Sequence, residues 1–99
     1  MLRTYEIDCR EVRTYDDFVA VFNRAFIETL GGRWDGNLDA FNDYLSWPEE
    51  VPYRLVIVGS DRCAQVLNYK ASDSHQKELW PLLQDILVDN NEWLRVLFK

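Results

Sequence analysis

Hydrophobic and polar residues alternate over the first segment of the chain, from Leu2 to Cys9. Tyr5, Ile7 and Cys9 fall on the side that we expect to be buried. A two-residue period is typical of a strand with one buried face, because successive side chains point to opposite faces of a sheet. The alternation therefore predicts a first strand.

Apolar residues then recur at helical spacing from Phe18 to Leu30. Thr14 is a predicted N-cap, with Asp17 three residues later in the first turn. The Gly-Gly pair at residues 31–32 ends the helix, because glycine accepts the left-handed conformation found just past a helix end. We expect one continuous helix between these signals.

A second helix is predicted from Leu38 to Trp47. Gly36 allows a turn before it, and Asn37 is a predicted N-cap whose side-chain oxygen can bond a free amide of the first turn. Pro48 ends the helix because proline cannot continue it. The residues that we expect to face the core are Leu38, Phe41 and Leu45.

The second half of the chain predicts two further strands and two further helices. A near-continuous apolar run from Tyr53 to Val58 indicates a central strand that is buried on both faces. A short helix is expected from Ser60 to about Leu67, and a last helix runs to about Asn90. Pro81 either marks the start of that helix or kinks its first turns. The alternation from Trp93 to Phe98 predicts the closing strand.

The predicted order of elements is β-α-α-β-α-α-β. Strands joined by long helical connections are usually parallel, with right-handed crossovers. A chain of 99 residues is long enough to bury roughly two-thirds of the surface that its unfolded form exposes. We therefore expect a single α/β domain over residues 1–99, with a three-stranded parallel sheet packed by about four helices.

The charge of the chain limits its partners. Seventeen acidic and eleven basic side chains give a formal net charge of -6, which repels a phosphate backbone. We therefore expect no nucleic-acid partner and favour a basic protein partner, although solubility alone also explains such a charge. The amino-terminal residues lack the apolar segment of a signal peptide, and no apolar run is long enough to span a membrane. A cytoplasmic protein with no membrane contact is the expectation.

Three aspartates stand at four-residue intervals around the second helix: Asp35, Asp39 and Asp43. The stretch that contains them matches the first ligand positions of a calcium-binding EF-hand loop. Ala40 then stands where that loop needs glycine, and Ser46 stands where it needs a bidentate glutamate. We therefore predict no metal site here.

The sequence pattern does not predict catalysis or a bound cofactor. His75 is the only histidine, and no motif places a nucleophile near it. The residues around Ser60 do not match G-x-S-x-G, and a helix cap is the better interpretation of this serine. Cys9 and Cys63 lack metal-ligand spacing, and Cys63 is better explained as a packed thiol.

The remaining feature is the pair Asp39 and Asp43, which are neighbours on the side of the second helix opposite its apolar stripe. Like charges at this spacing cost about 0.2 to 0.5 kcal/mol. The helix dipole offsets that cost near the amino end, at Asp39, and fades before Asp43. The pair is either a solvated helix face or an anionic surface that meets cationic side chains of a partner.

The string GNLDAFNDYL at residues 36–45 resembles the signature helix of the barstar family of intracellular ribonuclease inhibitors. The predicted order of elements also fits that family across nearly the whole chain. The resemblance implies that the loop and the exposed helix face fill the active site of a small basic ribonuclease, with carboxylates in place of the RNA phosphate. It also implies that Asp39 and Asp43 are the two motif acids, that Asp43 lies deepest, and that Trp34 is near the contact aromatic of the loop.

Three differences from the family pattern lie on the implied contact surface. Gly36 immediately precedes Asn37, whereas the family usually has this glycine one place earlier. Arg33 stands where the best-known member has an aromatic contact residue, and Asn42 stands where that member has tryptophan.

We therefore expect a non-enzymatic, cytoplasmic inhibitor of a small basic ribonuclease, an immunity-type protein of bacterial origin that is monomeric when free. The alternative is an acidic interaction module of the same fold that binds another basic partner, such as a different toxin. No catalytic residue, metal or cofactor is expected. The predicted partner-binding residues are Trp34, Asp35, Asn37, Asp39, Asn42 and Asp43.

Overall fold

Three parallel strands form one sheet at the centre of the fold. The computed structural model describes residues 2–70 and 77–99, so the predicted polar loop with His75 lies outside the described residues. The strands are β1 (Thr4–Asp8), β2 (Tyr53–Val58) and β3 (Leu94–Phe98), in the order β1-β2-β3. In register, Leu55 of β2 aligns with Tyr5 of β1 and with Val96 of β3. The apolar run thus forms the central strand, as predicted, while β1 and β3 are slightly shorter than predicted.

Two helices lie in each connection between consecutive strands. The α-helices of the described residues are α1 (Tyr15–Phe22), α2 (Leu38–Tyr44), α3 (Ser60–Val66) and α4 (Leu79–Asp89). The order β-α-α-β-α-α-β with a parallel sheet confirms the predicted fold class. Within residues 2–70 and 77–99, no helix is both long and apolar enough to cross a membrane.

An aromatic core joins the helices to the sheet. The rings of Tyr5 and Phe26 are 4.9 Å apart, and so are those of Phe22 and Phe41. All four of these rings are buried. The residues of the first segment that were predicted to face inward, Tyr5, Ile7 and Cys9, are buried as well.

The first helical segment differs from the prediction of one continuous helix. The Thr14 hydroxyl accepts a hydrogen bond from the Asp17 N–H, which confirms the predicted N-cap. However, α1 ends at Phe22 and continues as a π-helical turn (Asn23–Ile27) and a 3-10 turn (Glu28–Leu30). A π turn inserts an extra residue into the helical ladder and so rotates the buried face. That rotation turns Asn23 into the protein interior.

α2 ends earlier than predicted, whereas α4 begins near Pro81, which is one of the two predicted alternatives. α2 ends at Tyr44 rather than Trp47, because the next amides bond carbonyls three residues back and the residue before Pro48 is disfavoured in a helix. α4 begins at Leu79, so Pro81 lies in its first turn. The missing N–H of Pro81 costs nothing there, since first-turn amides have no partner within the helix.

Candidate partner-binding surface

Two successive side-chain caps fix the start of α2. The Asp39 and Ala40 amides donate to Asn37 Oδ1 at 2.8 and 3.1 Å, which confirms Asn37 as the N-cap. Two residues before Asn37, Asp35 forms the first of these caps: its Oδ1 accepts from the Asn37 N–H at 3.0 Å. A loop held by such bonds needs little further ordering when it meets a partner. Asn37 and Asp35 therefore contribute by positioning the helix as well as by their exposure.

Gly36 lies between these caps in a conformation that only glycine adopts easily, with φ of 97°. A Cβ at this position would lie 3.2 Å from the Tyr15 ring and 3.3 Å from a Val19 methyl. The Tyr15 hydroxyl donates to the Gly36 carbonyl at 2.7 Å, and burial raises the pKa of Tyr15 above its usual value. Glycine is therefore required at position 36, because the backbone turn there is left-handed and packs closely against Tyr15 and Val19 of α1.

Trp34 is buried rather than exposed, and this corrects the prediction that it contacts a partner. Its side chain is 1% exposed, and its ring lies 4.8 Å from that of Phe41. Its indole N–H donates to the Asn37 carbonyl at 2.8 Å. The large apolar ring gains more from the core than from the surface, so Trp34 anchors the loop instead of lining a contact.

Asn23 is a residue of this site that the sequence analysis missed. Its side-chain oxygen accepts from the Trp34 N–H at 2.6 Å, and its side-chain N–H donates to the Trp34 carbonyl at 2.7 Å. Both bonds are buried, so Asn23 satisfies the backbone of the loop where water cannot. The available signal was a polar residue beside the apolar stripe of the first helix.

The carboxylates of Asp39 and Asp43 lie exposed on α2, whereas Phe41 and Leu45 are fully buried on its other side. In the part of the chain that the structure describes, neither carboxylate accepts a hydrogen bond or joins an ion pair. With exposed Asp35, they form the surface that we call the acidic surface, defined as Asp35, Asp39 and Asp43. Asp39 and Asp43 can therefore accept hydrogen bonds from guanidinium or ammonium groups of a partner, because no existing ion pair has to break first.

Asn42 links α2 to α4 and is also exposed. Its Oδ1 accepts from Asn90 Nδ2 at 2.9 Å, and the same Asn90 nitrogen donates to the Ile86 carbonyl at 2.7 Å. Asn90 Oδ1 in turn accepts from the Trp93 indole N–H at 3.0 Å. This network fixes the side chain of Asn42 beside the acidic surface.

An aromatic pair at the carboxyl end of α2 is a second feature that the sequence analysis did not single out as a contact. The rings of Tyr44 and Trp47 are 4.6 Å apart, and Trp47 is 48% exposed. The Tyr44 hydroxyl donates to the Arg33 carbonyl at 2.8 Å, so the pair is tied to the loop before α2. A half-exposed tryptophan that follows the acidic helix in the chain is a candidate contact, because tryptophan is enriched where binding energy concentrates.

Ser60 and Cys63, two of the residues considered for catalysis, have structural roles. Gly59, with φ of 73°, is the N-cap of α3, so Ser60 does not cap the helix as expected. The Ser60 hydroxyl instead donates to the Lys99 carbonyl at 3.0 Å. Cys63 is buried, and a hydrogen bond with Cys9 together with burial raises the pKa of its thiol. Across residues 2–70 and 77–99, no three His, Cys, Asp or Glu side chains group as metal ligands.

Comparison of the sequence with known protein families shows which family the chain belongs to. The sequence profile described as Barstar (barnase inhibitor) matches residues 2–97, which is nearly the whole chain. The chain belongs to the barstar family. The barstar family consists of ribonuclease inhibitors rather than enzymes, and its members bind ribonucleases as protein partners. A comparison with individual curated proteins gives no match.

Proposed function

We propose that this barstar-family protein is a non-enzymatic inhibitor that blocks the active site of a small basic ribonuclease with its acidic surface. The observation that carries the proposal is the pair of exposed carboxylates of Asp39 and Asp43 on a helix whose other side buries Phe41. Membership of the barstar family supports a ribonuclease as the partner. The expected setting is the cytoplasm of a bacterium, with the protein acting as a monomeric immunity-type inhibitor.

Inhibition in this proposal works by charge mimicry and by occlusion. A ribonuclease active site binds phosphate with arginine and lysine side chains, and arginine bonds a carboxylate with the same paired geometry. Asp43 enters deepest among these cations and Asp39 bonds at the edge, so RNA is excluded. The net charge of -6 also speeds the encounter with a basic enzyme.

The fixed loop makes this binding efficient. The loop is held by the caps on α2, by the Tyr15 bond to Gly36 and by the bonds between Asn23 and Trp34. A surface that is already in its bound shape loses less conformational entropy on association. We therefore assign Trp34 and Asn37 a positioning role and retain Asp35 and Asn42 as flanking contacts.

Trp47 is the proposed apolar contact. Its exposed ring lies tilted against the ring of Tyr44, and it lines a shared pocket with the exposed acids Glu49 and Glu50. Carboxylates give charge complementarity, whereas a large aromatic ring supplies the water-excluding contact that most tight interfaces contain. In the proposal, Trp47 takes the role that the sequence suggested for Trp34.

The alternative partner is a different basic toxin, and one observation favours it. Arg33 is exposed in the loop before α2, where its cation opposes contact with a basic enzyme. A partner that presents an acidic or polar group opposite Arg33 avoids this repulsion. Replacing Arg33 with tyrosine distinguishes the two candidates, since it tightens binding to a uniformly basic active site and weakens binding to a partner that pairs with Arg33.

The proposed function is tested by RNA cleavage with a small basic bacterial ribonuclease titrated with this protein. We expect cleavage to stop at a one-to-one molar ratio and the apparent affinity to weaken as salt is raised. A nucleotide that occupies the enzyme's active site should slow formation of the complex. Cleavage that continues at excess inhibitor, or a complex that forms equally fast with the active site occupied, would contradict the proposal.

A further inference from the structure

A second charged surface shares no residue with the acidic surface and is rich in arginine. It is an open groove of about 1180 Å³ between α1, the loop after β1 and α3. We call it the arginine groove, after the four arginines that line it: Arg10, Arg13, Arg24 and Arg62. These are four of the eleven basic residues of an acidic chain, and none of the residues that line the groove belongs to the acidic surface.

The four guanidinium groups differ in how far the fold uses them. Arg10 forms an ion pair with Asp8 at 2.8 Å and holds the pKa of that carboxyl at about 2, chiefly through its side-chain hydrogen bond. Arg62 Nε donates to the Val12 carbonyl at 2.8 Å, which fixes its guanidinium at the groove. The side chains of Arg13 and Arg24 are exposed and, within the described ranges, bond no other residue. Two exposed cations, Arg13 and Arg24, and the guanidinium of Arg62 are therefore available to a ligand.

The groove also contains apolar surface and carboxylates. Val12 is buried, Val21 is half-buried and Ala20 is exposed, so a small part of the lining is apolar. Asp8, Glu11 and Asp17 line the groove as well, and Asp17 Oδ2 already accepts from the Arg13 N–H at 3.0 Å. The lining thus combines four arginines with three carboxylates and a small apolar part.

We propose that the arginine groove binds an acidic peptide segment of a partner protein. Guanidinium groups bond carboxylates in paired geometry, and the exposed Ala20 and half-buried Val21 can contact small aliphatic side chains between them. A peptide can place its carboxylates on Arg13, Arg24 and Arg62 and keep them away from Glu11 and Asp17.

A nucleic acid fits this groove less well than an acidic peptide. Its charge is uniformly negative, so its phosphates meet Glu11 and Asp17 as well as the arginines. Within the described residues, no aromatic side chain lines the groove to stack on a base. The groove and the acidic surface share no residue.

The experiment follows the amide NMR spectrum of the full chain during titration with a short peptide of repeated Glu-Ala-Ser. A peptide of repeated Lys-Ala-Ser and a single-stranded oligouridine serve as comparison ligands. The test variant carries Arg13→Gln and Arg24→Gln. The matched control carries Arg54→Gln and Arg95→Gln, which remove the same charge from exposed strand residues outside the groove.

We expect saturable shifts at the amides of Val12 and Val21 with the acidic peptide and none with the basic peptide. The groove variant should bind the acidic peptide about tenfold more weakly, since two exposed ion pairs are lost, while the control variant binds unchanged. Equal weakening in both variants would overturn the proposal, because it would show attraction by net charge alone. Tighter binding of oligouridine than of the acidic peptide at the same amides would overturn it as well. Ribonuclease inhibition by the groove variant is expected to be unchanged, so the two proposals fail independently.

Discussion

The loop at residues 34–37 and the helix face that carries Asp39 and Asp43 are adjacent in sequence, yet the fold uses them in opposite ways. In the loop, Trp34 is fully buried and both of its backbone polar groups are bonded by Asn23. On the helix face, the described residues give the two carboxylates no bonding partner. The contrast separates residues that hold a binding surface from residues that remain free to bind. We expect substitutions in the loop to lower stability and substitutions on the helix face to lower affinity.

The largest stability loss is expected from Trp34→Ala. Truncation of a fully buried tryptophan typically costs about 3 to 5 kcal/mol, because a cavity replaces the ring and its contacts. The measurement is urea-induced unfolding followed by circular dichroism. A loss below about 1 kcal/mol would contradict the anchoring role, and Trp47→Ala, which truncates an exposed tryptophan, is the matched control.

Alkaline pH should weaken the two tyrosine hydrogen bonds that hold the ends of the segment from Gly36 to Leu45. Burial raises the pKa of Tyr15 and of Tyr53, whose hydroxyls donate to the carbonyls of Gly36 and Leu45. Because the folded-state pKa is raised, this contribution is fully present below pH 10, the usual tyrosine pKa, and is lost as pH rises further. Each tyrosine should cost about 1.4 kcal/mol of unfolding free energy per pH unit above that value.

The alkaline effect is measured by urea unfolding at a series of pH values, with Tyr53→Phe and Tyr15→Phe as controls. Phenylalanine cannot ionise, so each variant should show a shallower loss above pH 10. An unchanged slope in both variants would assign the alkaline loss to other groups.

A smaller stability loss is expected from Asn37→Ala, which removes the N-cap of α2. Loss of such a cap costs about 1 kcal/mol, since two first-turn amides lose their side-chain acceptor. Asn37→Asp keeps the acceptor oxygen and should preserve stability. If both variants unfold at the same urea concentration as the wild type, the cap does not stabilise the segment.

The smallest stability effect, with the opposite sign, is expected from Asp43→Asn. Removing one of two like charges at helical i, i+4 spacing should stabilise the fold by about 0.2 to 0.5 kcal/mol, because Asp39, which the helix dipole favours, is kept. The change is measured as a shift in the urea midpoint at low salt, and it should shrink at high salt. A clear destabilisation would mean that the carboxylate is structural, which would remove the contrast with the loop.

Local signals in the sequence predicted much of the fold. Thr14 and Asn37 cap their helices as predicted, because a cap depends only on residues two or three positions away. The alternating and apolar runs likewise predicted all three strands, because a period of two is a local property.

The candidate site was predicted less completely, because its support comes from distant residues. The bonds between Asn23 and Trp34 join residues eleven positions apart. No spacing rule predicts such a pair, so the π-helical turn and the burial of Trp34 were missed. The predicted second helix was also too long. It included Trp47, whereas α2 ends at Tyr44 and the exposed Trp47 packs against the ring of Tyr44 from outside the helix.

The most direct test of the central claim compares Asp43→Asn with Asp16→Asn in the ribonuclease titration. Both residues are exposed aspartates on helices, and both changes remove one charge with almost no change in shape. The account predicts that Asp43→Asn weakens inhibition at least thirtyfold, about 2 kcal/mol, while Asp16→Asn leaves it unchanged and both variants stay fully folded. Equal inhibition by the two variants would contradict the claim that the acidic surface fills the enzyme's active site.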